Sequence, residues 1–243
     1  MTIRQRADRL LVARGLFDSR ARAQAAIAAG RVTADGRVVR KASDAISPVA
    51  TIKAEPEHPF VSRGGVKLAA ALDQFDVDVG GRACLDVGAS TGGFTQVLLL
   101  RGARTVYAVD VGRRQLHSSL RGRREVASME ATDIRTLDAA RLAEQPDFAT
   151  IDVSFISLKL VLPAIGKLLA RRAQLVALIK PQFEAKRRDI KKGIVRDPAV
   201  HATVCDDIGG FLAAQGWRIG GRMPSPIHGG DGNAEFFVEA KRG

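Results

Sequence analysis

The sequence predicts an α/β chain in which a small basic α+β module precedes a doubly wound sheet. Three observations carry that expectation. From about residue 60 onward, short apolar runs alternate with amphipathic stretches, a pattern that a mostly parallel sheet covered by helices satisfies. A glycine-rich turn, Gly88-Ala89-Ser90-Thr91-Gly92-Gly93, follows the apolar run Cys84-Leu85-Asp86-Val87 and opens an amphipathic segment. The first 55 residues instead hold two short helical patterns and an Asp35-Gly36 pair between alternating runs, a strong hairpin signal.

The totals bound the answer. A chain of 243 residues suffices for one large domain, or for a moderate domain with a small partner. Hydrophobic residues make up 46%, enough for a sizeable core, and the net charge of +12 points to a polyanionic partner. Cys84 and Cys205 are the only cysteines; they lie far apart in apolar or helical patterns and read as structural thiols. No apolar run reaches the roughly 18 residues of a membrane span, and no apolar core follows the charged N-terminus. The expectation is a soluble, cytoplasmic protein without membrane association, with no metal site.

The N-terminal module is expected over 1–55. Ala7 to Gly15 reads as a short helix stopped by glycine, and Asp18-Ser19 caps a second helix that runs to Ala29 and stops at Gly30. Arg31-Val32-Thr33 and Val38-Val39 form the hairpin arms. Arg4, Arg6, Arg9, Arg14, Arg20, Arg22 and Arg31 fall along this module. The pattern R-x-D-x-x-L-x-x-x-G-x-x-x-S-R-x-x-A-x-x-x-I-x-x-G-x-V, met from Arg6 to Val32, resembles the small RNA-binding domain first seen in the fourth protein of the small ribosomal subunit. That resemblance implies that the seven arginines meet phosphate, for which a planar guanidinium fork is suited. Glu55-Pro56-Glu57-His58-Pro59 is polar and proline-rich, so residues 56–61 are expected to be a linker and 62–243 the second domain.

In the second domain, strands are expected near 82–87, 104–109, 125–129, 147–152, 173–179, 216–223 and 233–240. Helices are expected near 65–75, 93–101, 112–120, 157–170 and 198–214. The last two strands, joined by a loop, suggest an antiparallel edge hairpin. The sum is a Rossmann-like sheet of seven strands.

The glycine turn and a carboxylate ending the next strand form a nucleotide-ligand layout. Asp110 closes Val106-Tyr107-Ala108-Val109 and is placed to accept from ribose hydroxyls. The turn reads G-x-x-x-G-G rather than G-x-G-x-x-G, which fits S-adenosylmethionine better than a dinucleotide, because there is no pyrophosphate to cradle. The expected cofactor residues are Asp86, toward the methionine ammonium; Gly88, Ser90, Gly92, Gly93 and Phe94 along the turn; Asp110; and Asp133, toward the adenine amino group. Phe94 and Phe155 each read as a wall for the cofactor or the target base, with core packing the first reading of either taken alone, and Trp217 reads as core. The acid at 133 also reads as a helix cap.

Four more polar residues stand at telling places. Lys67 lies near the start of the domain's first helix, Asp152 ends the fourth strand, Lys180 ends the fifth after five apolar residues, and Glu235 begins the last. A lysine in such surroundings is costly to bury without a partner or a purpose. Lys67, Asp152, Lys180 and Glu235 match the Lys-Asp-Lys-Glu tetrad of ribose 2'-O-methyltransferases related to FtsJ. The segments S-R-G-G-x-K-L, D-V-G-A-S-T-G-G-F-T, D-V-S-F-I-S-L, K-P-Q-F-E and G-N-x-E-F-F together resemble the TlyA family, whose members join the ribosomal-protein-type module to this methylase domain in this order.

The resemblance implies transfer of a methyl group from S-adenosylmethionine to a cytidine ribose of 16S or 23S ribosomal RNA, with ribosomal subunits as partners. The tetrad would carry catalysis. A ribose hydroxyl is a poor nucleophile, so the site must align it and help remove a proton. Lys180 is the candidate base, or it stays cationic and steadies the developing charge. Some family members are named haemolysins, but the chain offers neither a spanning helix, an alternating barrel nor a membrane-surface helix. A binding protein without turnover would show a broken tetrad or turn, and both are intact; a small-molecule methyltransferase would not need the basic module. The run from Lys186 to Lys192, five basic residues in seven, is a candidate phosphate contact.

Overall fold

The computed structural model describes residues 3–243, which form two compact units, one ending at Pro59 and the other spanning Phe60–Gly243. In the first unit a short strand β1 (Gln5–Arg6) leads into α1 (Ala7–Ala13) and α2 (Arg20–Ala28), followed by β2 (Val32–Ala34), β3 (Arg37–Val38), β4 (Ala45–Ile46) and β5 (Ile52–Ala54). The Ser19 hydroxyl accepts from the Arg22 amide and caps α2. Asp35 and Gly36, both at positive φ, make the tight turn between β2 and β3. Leu11, Phe17, Ala26, Ile27 and Val32 form its core. The β1–β4 pair and the third sheet strand, β5, were not expected; strands of two or three residues are too short to leave an alternation in the sequence.

The second unit runs α3 (Arg63–Gln74), β6 (Ala83–Val87), α4 (Gly93–Leu100), β7 (Thr105–Val109), β8 (Val126–Met129), β9 (Phe148–Ile151), α5 (Leu158–Leu168), β10 (Ala173–Ile179), α6 (Pro181–Glu184), α7 (Pro198–Ala214), β11 (Arg218–Pro224) and β12 (Phe236–Arg242). Its seven strands order as β11-β12-β10-β9-β6-β7-β8. All neighbours are parallel except β12, which is antiparallel to both β10 and β11. Alternate residues of each strand face opposite layers. Leu85, Tyr107, Ala149, Leu175 and Val238 pack in one core with side chains of α5 and α7. Cys84, Val106, Phe148, Val176 and Phe237 pack in the other with Leu68, Leu72, Phe94 and Leu98 of α3 and α4. Trp217 and both cysteines are buried, and burial pushes the Cys84 thiol up to about 12 and the Cys205 thiol up to about 11.

Phe60 packs against the second unit's core, and the Val61 amide donates to Gln96 Oε1 at 2.7 Å. Chain order turns back between β6 and β9, since β7 and β8 lie to one side and β9 and β10 to the other. That switch point is where doubly wound sheets bind ligands.

One expected element is absent. Residues 112–120 form turns, not a helix. The Glu130 carboxylate accepts from three successive amides, Arg114 (2.8 Å), Gln115 (2.5 Å) and Leu116 (3.0 Å), and Arg114 sits at positive φ. These donors are committed to a side chain from beyond β8, so the segment coils around it. The three amides hold Glu130 below the usual carboxylate range.

Candidate active site

The turn between β6 and α4 is built by backbone conformations that glycine permits. Gly88 (φ +83°) and Gly92 (φ +92°) are left-handed, and Ser90 joins them at φ +47°. A Cβ at Gly88 would collide with the Asp152 carbonyl oxygen, so only glycine lets the β6 and β9 ends approach this closely. Gly93 lies against Ser62 and Gly65, where the first turns of α3 and α4 meet. Asp110, past the end of β7, accepts from the Ser90 amide at 2.8 Å and the Gly112 amide at 2.7 Å. Each of its oxygens keeps a lone pair for another donor.

A cleft of about 470 Å³ opens over these strand ends, lined by Gly88, Ser90, Asp110, Gln115, Asp133 and Phe155 among others. It has the concavity, the close backbone approach and the free carboxylate acceptor that a nucleoside-bearing ligand requires. Asp133 lines it while also capping the 3-10 turn Ile134–Thr136, and its ion pair with Arg135 (2.6 Å) holds it below the usual carboxylate range. Asp86 differs from its expected place. It is wholly buried and does not line the cleft; Thr95 Oγ1 (2.6 Å) and Thr150 Oγ1 (3.0 Å) donate to its two oxygens. Burial pushes it up to about 7 despite those two donors. Phe94 is 3% exposed and packs on Phe237, with an edge on the smaller cleft described next.

That smaller cleft, of about 230 Å³, is lined by Arg63, Lys67, Gly88, Ser90, Gly93 and Asp152, among others. Asp152 borders both clefts. The four tetrad residues come from four elements and pair two by two. Lys67, in the second turn of α3, is ion-paired with Glu235, which precedes β12, and both are buried. Lys180 Nζ lies 2.6 Å from Asp152 Oδ1 and donates to Ser154 Oγ at 2.8 Å. Two ammoniums and two carboxylates cancel, so the constellation adds no net charge to the cleft.

Phe155 departs from its core-packing reading. It is 91% exposed, at φ +63°, and its ring lies 5.1 Å from that of Phe183, tilted by 50°. A bulky residue in this backbone conformation, presented to solvent beside a cleft, points to a task other than packing. Sequence reasoning also passed over Glu130, Thr95, Thr150 and Ser154. Glu130, just past a strand and three residues before Asp133, left the clearest trace.

In the first unit the expected arginines divide. Asp8, fully buried, receives Arg6 (3.0 Å), Arg20 (2.7 Å) and Gln24 (2.8 Å), which hold its carboxyl far below the usual range. Arg6 and Arg20 remain 43% and 49% exposed. Arg14 donates to the Ala50 and Pro48 carbonyls, Arg22 pairs with Asp18 and Arg31 with Glu55, while Arg4 and Arg9 are exposed. Among the described residues no helix is long and apolar enough to cross a membrane, and no three potential metal ligands cluster.

Residues 60–242 match the FtsJ-like methyltransferase family and residues 5–52 match the S4 domain. A Bacillus subtilis (strain 168) protein, provisionally named rRNA methyltransferase YqxC, is 47% identical over 97% of this chain and 85% of its own. The 16S/23S rRNA (cytidine-2'-O)-methyltransferase TlyA of Mycobacterium tuberculosis (strain H37Rv) is 42% identical over 98% of this chain and 90% of its own. A solved structure from Streptococcus thermophilus, provisionally named a hemolysin, superposes with a TM-score of 0.78 at 42% identity, covering 100% of this chain and 90% of that one. With an S4 domain followed by an FtsJ-like domain, and relatives this similar along nearly its whole length, the chain belongs to the TlyA family of FtsJ-like methyltransferases.

Proposed function

We propose that this protein transfers a methyl group from S-adenosylmethionine to the 2'-hydroxyl of a cytidine in 16S or 23S ribosomal RNA. One observation carries the reading: Asp152 borders the cleft suited to a nucleoside and also the one that holds Lys67, and it is ion-paired with Lys180. A nucleoside ligand and a tetrad of acids and bases thus share a wall. The M. tuberculosis relative's name supplies the nucleotide and the RNA.

In this reading Gly88 and Ser90 bring backbone against the cofactor, Gly92 completes the turn against Leu116 and Leu120, Asp110 accepts from the ribose hydroxyls, and Asp133 turns toward the base. Asp86 supports the turn from beneath, through Thr95, instead of touching the ligand. The cofactor, when bound, supplies an already activated methyl group, so the chain's own task is alignment and the handling of one proton. Lys180, turned by Asp152 and Ser154, points its ammonium at the position where alkoxide charge develops. To act instead as the base it must first give up a proton of its own. Lys67, paired with Glu235, lines the smaller cleft beside Asp152. The exposed Phe155 ring is a platform for a base splayed out of its stack, the form in which RNA bases are usually read. The S4 domain, with half-exposed guanidiniums oriented by Asp8, binds phosphate. A ribosomal RNA substrate goes with a cytoplasmic protein.

The test is transfer of labelled methyl from S-adenosylmethionine to isolated small subunits, large subunits and intact ribosomes. Wild type and Lys180→Ala run in parallel, with sites mapped by resistance to alkaline cleavage. Label at an alkali-resistant cytidine, absent with the variant, is the expected result. No label on any particle, from enzyme that binds the cofactor, would overturn ribosomal RNA as the substrate.

A further inference from the structure

Because the tetrad has no formal net charge, an RNA strand at the site needs cations beyond it on the second unit as well as on the S4 domain, and Arg63 on the wall of the smaller cleft is one. A further group follows Phe183. Residues Lys186, Arg187, Arg188, Lys191 and Lys192 are all exposed, and the single acid among them, Asp189, lies 3.8 Å from Arg188. The segment is shaped: a 3-10 turn spans Arg187–Asp189, and Lys191 and Ile194 bond reciprocally around Lys192 (φ +51°) and Gly193 (φ +78°). Lysine at a turn position that favours glycine or asparagine puts a cation at the tip.

The segment is also anchored. Asn233, 1% exposed, donates from Nδ2 to the Gly193 carbonyl at 3.0 Å and accepts at Oδ1 from the Val195 amide at 3.1 Å. Its own carbonyl accepts from the Gly229 amide at 2.9 Å, and Gly229 in turn lies against the Glu235 carboxylate. One buried amide therefore ties the basic turn to the segment that delivers Glu235, while Phe183 ties its other end to Phe155.

We propose that residues 186–192 form a hook that grips phosphates of the RNA strand flanking the target nucleotide, and that Asn233 is the positioning residue that holds this hook in register with Glu235. The inference rests on the reading of RNA as substrate and deepens it. An exposed Phe155 ring backed by the half-buried Phe183, continuous with five exposed cations, is the surface that a splayed-out nucleotide and its neighbouring phosphates fit.

The experiment replaces Lys186, Arg187, Arg188, Lys191 and Lys192 together by Gln in the full chain and measures methylation of isolated ribosomal subunits, with filter binding across a salt series. The expected result is a KM for the subunit raised tenfold or more at unchanged kcat. The slope of log affinity against log salt should shrink by about 0.7 for each phosphate that the variant no longer neutralises. Cofactor affinity and the melting temperature should stay as in wild type, since all five side chains are exposed. Asn233→Ala alone should raise the same KM, and added to the quintuple variant it should raise it no further, because coupled residues are not additive. An active quintuple variant with the wild-type KM and salt slope overturns the hook. Fully additive effects overturn the role of Asn233. A wild type that methylates no subunit overturns the hook together with the RNA reading beneath it, whereas failure of the hook alone leaves wild-type methylation intact.

Discussion

Lys180 and Asp152 stand just past the ends of two adjacent parallel strands, β10 and β9, with Nζ and Oδ1 2.6 Å apart. The pairing turns two costly charges at the sheet's carboxyl edge into one oriented donor. Lys180→Ala should lower kcat by at least about 10²-fold, the range of a lost positioned acid–base or charge-stabilising group, and leave cofactor affinity within a few-fold. Single-turnover methyl transfer and cofactor titration check both. Loss of cofactor binding would move Lys180 to the cofactor site.

The Lys67–Glu235 pair is more deeply buried, its side chains only 10% and 3% exposed. Removing either partner leaves an uncompensated charge, which typically costs about 3–5 kcal/mol. Lys67→Met and Glu235→Gln should each destabilise the protein strongly in urea melts, and the double variant by less than the sum. Additive costs would show that the pair does not form in solution.

Asp86, pushed by burial up to about 7, titrates well above its unfolded value near 4. The folded state then holds a proton that the unfolded chain has released, so this group's contribution to stability falls as pH rises from about 4 to about 7. Asp86→Asn, which keeps a partner for both threonine hydroxyls, should flatten the decline. Urea melts at pH 5 and pH 7.5 check this, and equal slopes in both proteins would sink the idea.

Asp8 separates positioning from bulk charge. Asp8→Asn raises the formal net charge from +12 to +13, which by electrostatics alone tightens RNA binding. If Asp8 acts by orienting the Arg6 and Arg20 forks, the variant binds RNA several-fold more weakly. Filter binding at fixed salt, with a thermal melt to verify the fold, distinguishes the two; tighter binding would refute the orienting role.

Phe155 sets its ring against Phe183 and is otherwise exposed, so Phe155→Ala should leave the melting temperature within a degree or two and still depress kcat/KM for RNA by about tenfold or more. A stacked base is worth about 1–3 kcal/mol, which sets that scale. Unchanged kcat/KM would leave the ring without a role in base capture.

What is local in this protein could be read from the chain alone. The Asp35-Gly36 hairpin, the helix stops at Gly15 and Gly30, the glycine turn after β6, the seven strands and the carboxylates at their ends were all legible, because each follows from the propensity or alternation of a few neighbouring residues. Tertiary structure settled what depends on residues far apart in the chain. Lys67 finds Glu235 across 168 positions. Glu130 captures three amides and turns an expected helix at 112–120 into a coil. Asp86 sinks beneath the turn it was expected to front, because Thr95 and Thr150 meet its oxygens from two other elements. Phe155, apolar in a run that reads as core, is turned outward by a left-handed backbone. The physical reason is the same in each case: periodicity records which face of an element is buried, whereas a charge, an amide or a ring takes its place from whichever distant partner satisfies it.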